Sequence, residues 1–139
     1  MKAAIFKSYG SPEVMEISEV DKPSIKDEDR VLIRVVSASV NQYDNLFRKG
    51  YFPTRIENGL TKPKTQILGI DVAGTVEAIG ENVTKFKVGD SVFGSCVGSH
   101  AEYVCPRQSV IALMPNNSTF EEQLQCHVLH RLPCKHCGM

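Results

Sequence analysis

The stretch from Ile67 to Gly94, ILGIDVAGTVEAIGENVTKFKVGDSVFG, decides the fold. Its first apolar pair, Ile67–Leu68, reads as a strand closed by Gly69. Val72–Ile79 is a β-branched run broken at Gly74 and stopped by Gly80. A glycine inside a strand marks a bulge or a close approach of another backbone. After the polar link Glu81–Lys85, Gly89-Asp90 makes a turn between Phe86–Val88 and a further strand at Val92–Phe93. Strand, glycine kink, strand, turn and strand in succession curl a small sheet toward closure. The expected class is therefore mainly β, a partly open β-barrel.

On the N-terminal side of this stretch, Lys2–Phe6 reads as an opening strand and Tyr9-Gly10-Ser11-Pro12 as a turn. Residues 14–19 alternate with the period of two that a half-buried strand requires. Asp21–Arg30 is polar and carries Pro23, which predicts a loop. Val31–Val40, VLIRVVSASV, is the strongest strand signal in the chain and ends in small residues that leave room beside the backbone. Asn41 stops it with the signature of an N-cap, and Asp44 stands at the position of a capping-box partner. Leu46 and Phe47 supply an apolar face and Gly50 a C-terminal stop, so one short helix is expected here. Tyr51–Thr65, with Pro53, Gly59 and Pro63, reads as a long surface loop.

On the C-terminal side, Ala101–Cys105 and Val110–Leu113 read as two more strands, stopped by Pro106 and Pro115. Asn116-Asn117-Ser118-Thr119 followed by Glu121-Glu122 opens a helix, yet Gln123–Met139 has no apolar stripe and carries Pro133, so the helix is not expected to continue. The first domain is therefore placed at 1–122, with 123–139 an aberrant tail expected to be disordered. Codons exist for the tail that, shifted by one nucleotide, encode an Ala-rich helix, and an altered reading frame is the expectation for it. Cys126, His127, His130, Cys134, His136 and Cys137 crowd this tail, but their spacing fits no zinc module.

Composition narrows the function. The 139 residues suffice for one domain, and 16 basic residues balance 16 acidic ones, leaving no basic patch for nucleic acid or an anionic membrane. No apolar run reaches the roughly 18–20 residues of a membrane span. The opening residues hold no signal-peptide core, and five cysteines, an odd number, point to reduced thiols in a cytoplasmic setting. Cys96 and Cys105 read as reduced thiols in or beside strands. Gly69 to Thr75 is a near miss to a phosphate loop that lacks the lysine, and no G-x-G-x-x-G occurs anywhere.

Taken together, MKAAIF, VLIRVVSASVNQYD, GLTKPKTQILGIDVAGTVEAIGENV, FKVGDSVFG, HAEYVC and VIALMPNNSTFEE resemble, in this order, the N-terminal half of the medium-chain dehydrogenase/reductase superfamily. More narrowly, the resemblance is to its zinc-independent quinone oxidoreductases and the oxidoreductases related to the reticulon-4-interacting protein. It implies a GroES-like barrel that precedes a nucleotide-binding domain, and an NAD(P)H-dependent reduction of a small carbonyl or quinone. The motif that carries a zinc-binding Cys in the alcohol dehydrogenases reads Asn41-Gln42-Tyr43-Asp44 here, and their G-H-E reads Gly69-Ile70-Asp71. Neither Asn41 nor Ile70 is a zinc ligand, so no metal is expected.

By the resemblance, Asn41 and Asp44 are the candidate catalytic residues, and Tyr43, Leu46 and Ile70 the candidate substrate contacts. Helix capping explains Asn41 and Asp44 equally well, and the two roles are compatible. Asp71, in a buried strand, is expected to accept backbone amides. With no dinucleotide fingerprint, this chain alone is expected to bind no NAD(P)H. The other function class left open is a free-standing barrel acting as a non-catalytic binding module, and an exposed barrel edge implies self-association.

Overall fold

A computed structural model describes residues 1–64 and 66–129. Strands β1 (Lys2–Phe6) and β2 (Met15–Glu19) form an antiparallel pair. Strands β3 (Val31–Ala38), β4 (Asp71–Ile79), β5 (Ser91–Ser95), β6 (Tyr103–Val104) and β7 (Ile111–Leu113) form a second, antiparallel sheet in the order β6-β3-β4-β5-β7. Three helices complete the described chain: α1 (Gln42–Lys49), α2 (Phe52–Asn58) and α3 (Phe120–Leu129).

The two sheets are stitched through β1, whose free side meets the chain on either side of β4 and β5. Ala3 bridges Ala101 and Ile5 bridges Ile67. The Ala4 amide donates to the His100 carbonyl at 2.9 Å, and the Phe6 amide to the Gln66 carbonyl at 2.8 Å. β7 pairs only with β5, so the barrel stays open along that edge. The mainly β, partly open barrel expected from the glycine-punctuated stretch is the observed architecture.

The period of two puts Val31 and Ile33 of β3 and Val72 and Val76 of β4 into one core with Val92, Val104 and Ile111. Phe86 and Val83, from the link between β4 and β5, plug it. At the start of β4 both faces are covered. Val72 and Ala73, neighbours on opposite faces, are fully buried because α3 lies on β3, β4 and β5. Gly74 does not break β4 but lets β3 come close. A Cβ there would stand 2.2 Å from the Arg34 carbonyl oxygen, opposite the bulge between Val35 and Ser37.

Several expectations need correction. Ile67–Leu68 is a single bridge rather than a strand, since Gly69 at φ +97° turns the chain away directly after it. Phe86–Val88 forms no strand either, as Phe86 turns inward to fill the core. The stretch read as a loop after Gly50 contains α2. Pro53 sits in its first turn, where a missing N–H costs nothing, and Gly59 lies just past its end. The sixth strand shrinks to Tyr103–Val104, and Val110 belongs to a 3-10 turn ahead of β7. The last helix does continue past Glu122 to Leu129, so there are three helices where one was expected. Burial of Gln123 and Leu124 holds it without a full apolar stripe. The histidine- and cysteine-rich segment 130–139 lies outside the described residues.

Candidate active site

Three chain segments meet at one end of the large sheet. β3 leaves it after Ala38, β4 enters at Asp71, and β5 leaves after Ser95; the registers Ala38↔Val72 and Asp71↔Ser95 bring these points together. The polar residues of the site lie at or just beyond these strand ends.

Asn41 caps α1 as its sequence predicts. Its Oδ1 accepts from the backbone amides of Tyr43 at 2.9 Å and Asp44 at 3.2 Å. Asp44 closes the capping box, its Oδ2 accepting from the Asn41 amide at 2.9 Å. Gly50 ends the helix in the left-handed conformation. The spare oxygen of Asp44 reaches across the site, and its Oδ1 accepts from the Gly69 amide at 3.2 Å. Asp44 is buried, and its two carboxylate oxygens take one backbone amide each, from Asn41 and from Gly69.

Asp71 is buried beside it. Its Oδ2 accepts from the Ser39 hydroxyl at 2.7 Å and from Asn41 Nδ2 at 3.3 Å. These are side-chain donors where backbone amides were the expectation; the amide of the adjacent glycine turn goes to Asp44. The Ser39 carbonyl in turn accepts from His100 Nε2 at 3.1 Å, which places the proton of that imidazole on Nε2. Ser39 and His100 were not among the sequence candidates. Their only local signal was a run of small residues ending β3 and a histidine before a short strand.

Beside this network lies a cleft of about 230 Å³ between α1, α2 and the glycine turn. Tyr43, Asp44 and Phe47 form one wall, Asn58 contributes from α2, and Gly69 and Ile70 form the other. Of the sequence candidates, the structure brings Tyr43, Asp44 and Ile70 to the cleft. Asn41 stands half-exposed at the head of the same helix, and Leu46 is half-buried away from the lining.

A larger cleft of about 640 Å³ opens on the other side of Ile67 and Val97, where Cys96, Cys105 and Arg30 contribute to its wall. Burial pushes the Cys96 thiol up to about 11 and raises that of Cys105. Both thiols are free and protonated at neutral pH, so this larger space holds no activated nucleophile. The smaller cleft touches the polar network through Asp44, which lines it and hydrogen-bonds Asn41 and Gly69, and it is therefore the candidate site. Among the described residues, no three His, Cys, Asp or Glu side chains gather in a way that could hold a metal ion. No helix among them is long and apolar enough to cross a membrane.

Comparison with known proteins places the fold in a family. Residues 27–123 match the family described as the alcohol dehydrogenase GroES-like domain. The chain is 37% identical over 133 residues to the 2-methylene-furan-3-one reductase of Solanum lycopersicum, covering 88% of this chain and 33% of that protein. It is 35% identical over 133 residues to the chloroplastic NADPH-dependent alkenal/one oxidoreductase of Arabidopsis thaliana, again covering 88% of this chain and 33% of the relative. Among solved structures it is similar to the quinone oxidoreductase from Coxiella burnetii, with a TM-score of 0.75 at 29% identity, over 86% of this chain and 38% of that one. The chain spans about a third of the length of the curated relatives it matches.

Proposed function

Because the chain belongs to the alcohol dehydrogenase GroES-like domain family of the medium-chain dehydrogenase/reductases, we propose that it is the substrate-side part of a zinc-independent, NAD(P)H-dependent oxidoreductase acting on quinones, enones or similar small carbonyls. The observation that carries this reading is the cleft itself. Its walls are largely apolar, Tyr43 and Ile70 both line it, and Asn41 caps the helix that carries Tyr43 and Asp44 into it, at the position where the resemblance puts a cysteine in zinc-binding relatives.

The residues present fit the nicotinamide end of the cofactor and nothing further along it. Asn41 offers an N–H to a carboxamide or carbonyl oxygen, and the apolar wall of the cleft suits a flat ring. For the pyrophosphate the chain has no glycine-rich strand-to-helix turn. When bound, the reduced nicotinamide supplies the hydride. The chain's own part is to orient and to exclude water: Asp44 holds the glycine turn against α1, Tyr43 shapes the entrance, and Asn41 polarises an oxygen.

Titrating the chain with reduced nicotinamide mononucleotide, followed by amide chemical shifts, tests this. Shifts are expected at Tyr43, Asp44, Gly69 and Ile70, and NADPH is expected to bind no more tightly than the mononucleotide. Shifts confined to other parts of the barrel would overturn the reading, and micromolar binding of NADPH would overturn the limit placed on this chain.

A further inference from the structure

The side-chain amide of Asn41 has a fixed orientation, and the group that fixes it is Asp71. Asn41 Oδ1 has both lone pairs engaged by the amides of Tyr43 and Asp44. A flipped side chain would set NH₂ against two N–H donors, so only one orientation satisfies the cap. One N–H of Nδ2 then goes to Asp71 Oδ2 at 3.3 Å, and the second has no hydrogen-bond partner among the described residues. Asn41 can therefore donate to a ligand but cannot accept from one.

We infer that Asp71 is a positioning residue: it acts through Asn41, presenting a single N–H donor that selects a ligand with a hydrogen-bond acceptor, a carbonyl or carboxamide oxygen. Three observations converge on this. Asp71 is 6% exposed, so its carboxylate is not free to swing. Ser39 donates to the same oxygen at 2.7 Å and pins it. His100, donating to the Ser39 carbonyl at 3.1 Å, fixes the segment that carries Ser39. The start of β4 and the cap of α1 are thereby linked through one side-chain amide. The inference rests on the proposed role of Asn41 for its ligand, but its structural half can be read without any ligand.

The test uses the full chain and the side-chain amide protons of Asn41. In the parent these two protons are expected to be well separated, one shifted downfield and slow to exchange. Asp71→Ala is expected to collapse the separation while the Tyr43 and Asp44 backbone amides keep their capped shifts, and Asp71→Asn, which restores an acceptor oxygen, is expected to recover it. Affinity for reduced nicotinamide mononucleotide is expected to fall about tenfold in Asp71→Ala and to return in Asp71→Asn. Should Asp71→Ala fail to fold, Ser39→Ala loosens the same carboxylate and moves the amide protons in the same direction. Asn41 amide protons that ignore both substitutions overturn the inference. Amide protons that respond in a protein binding no nicotinamide leave Asp71 as the orienting group and overturn the proposed function instead.

Discussion

The backbone amide of Gly69 donates to the carboxylate of Asp44 at 3.2 Å, tying the first turn of α1 to the turn that feeds β4. The same carboxylate completes the capping box of α1, so one buried side chain serves two elements. Replacing Asp44 by Ala removes a cap partner and leaves the Gly69 N–H buried without its acceptor. Loss of the cap costs about 1 kcal/mol and the orphaned amide about 1–3 kcal/mol. Urea denaturation of Asp44→Ala should therefore show a loss of about 2–4 kcal/mol, and Asp44→Asn, which keeps one acceptor, a smaller one.

Gly69 and Gly89 separate strain from crowding. Their φ angles, +97° and +93°, are nearly equal. At Gly69 a Cβ would stand 2.2 Å from Ser99 Oγ and 2.8 Å from the His100 amide nitrogen, whereas at Gly89 nothing lies within 4 Å. Gly89→Ala should lose only backbone strain, about 1–2 kcal/mol. Gly69→Ala should lose more than that and also shift the Asp44 and His100 resonances. Equal losses at the two positions would refute the crowding assigned to the turn.

Cys96 should make stability fall in alkali. Burial raises its folded value to about 11 from the ordinary 9.0. Between these values the unfolded chain releases the proton while the folded chain retains it. The stabilisation is thus fully present below pH 9 and is lost as pH rises toward 11. Relative to Cys96→Ala, the parent should lose about 1 kcal/mol between pH 8 and pH 10. In a timed alkylation at pH 7.5 read by peptide mass, Cys96 should be modified more slowly than Cys105, whose thiol is less deeply buried.

What could be read from the sequence was what neighbouring residues decide. Asn41 and Asp44 stand three apart, and the cap they announce is the cap observed. Val31 to Ala38 is β-branched enough to name its own conformation. The site's cross-links are another matter. Asp44 meets Gly69 across 25 residues and Asn41 meets Asp71 across 30, and no periodicity records such a pairing. Two helices were missed for different reasons. Pro53 and Gly59 read as loop markers, although the same residues mark where a helix starts and stops. In α3 the sequence lacks a full apolar stripe, and burial of Gln123 and Leu124 alone seats the helix on the sheet.

That last helix offers a decisive measurement. Thr119 and Glu122 form a reciprocal pair at its start: the Thr119 amide donates to Glu122 Oε2 at 2.9 Å, and the Glu122 amide to Thr119 Oγ1 at 3.3 Å. Leu124, 4% exposed, is buried where α3 lies on the sheet. If α3 is a packed part of the barrel, Leu124→Ala should cost about 2–4 kcal/mol in global stability, as truncation of a buried leucine does. Thr119→Ala should cost about 1 kcal/mol. If α3 were a local helix detached from the core, Leu124→Ala would leave the urea midpoint where it is and alter only far-ultraviolet ellipticity. A midpoint shift in Leu124→Ala larger than that in Thr119→Ala is the expected order, because burying the side chain holds this short helix more strongly than its cap does.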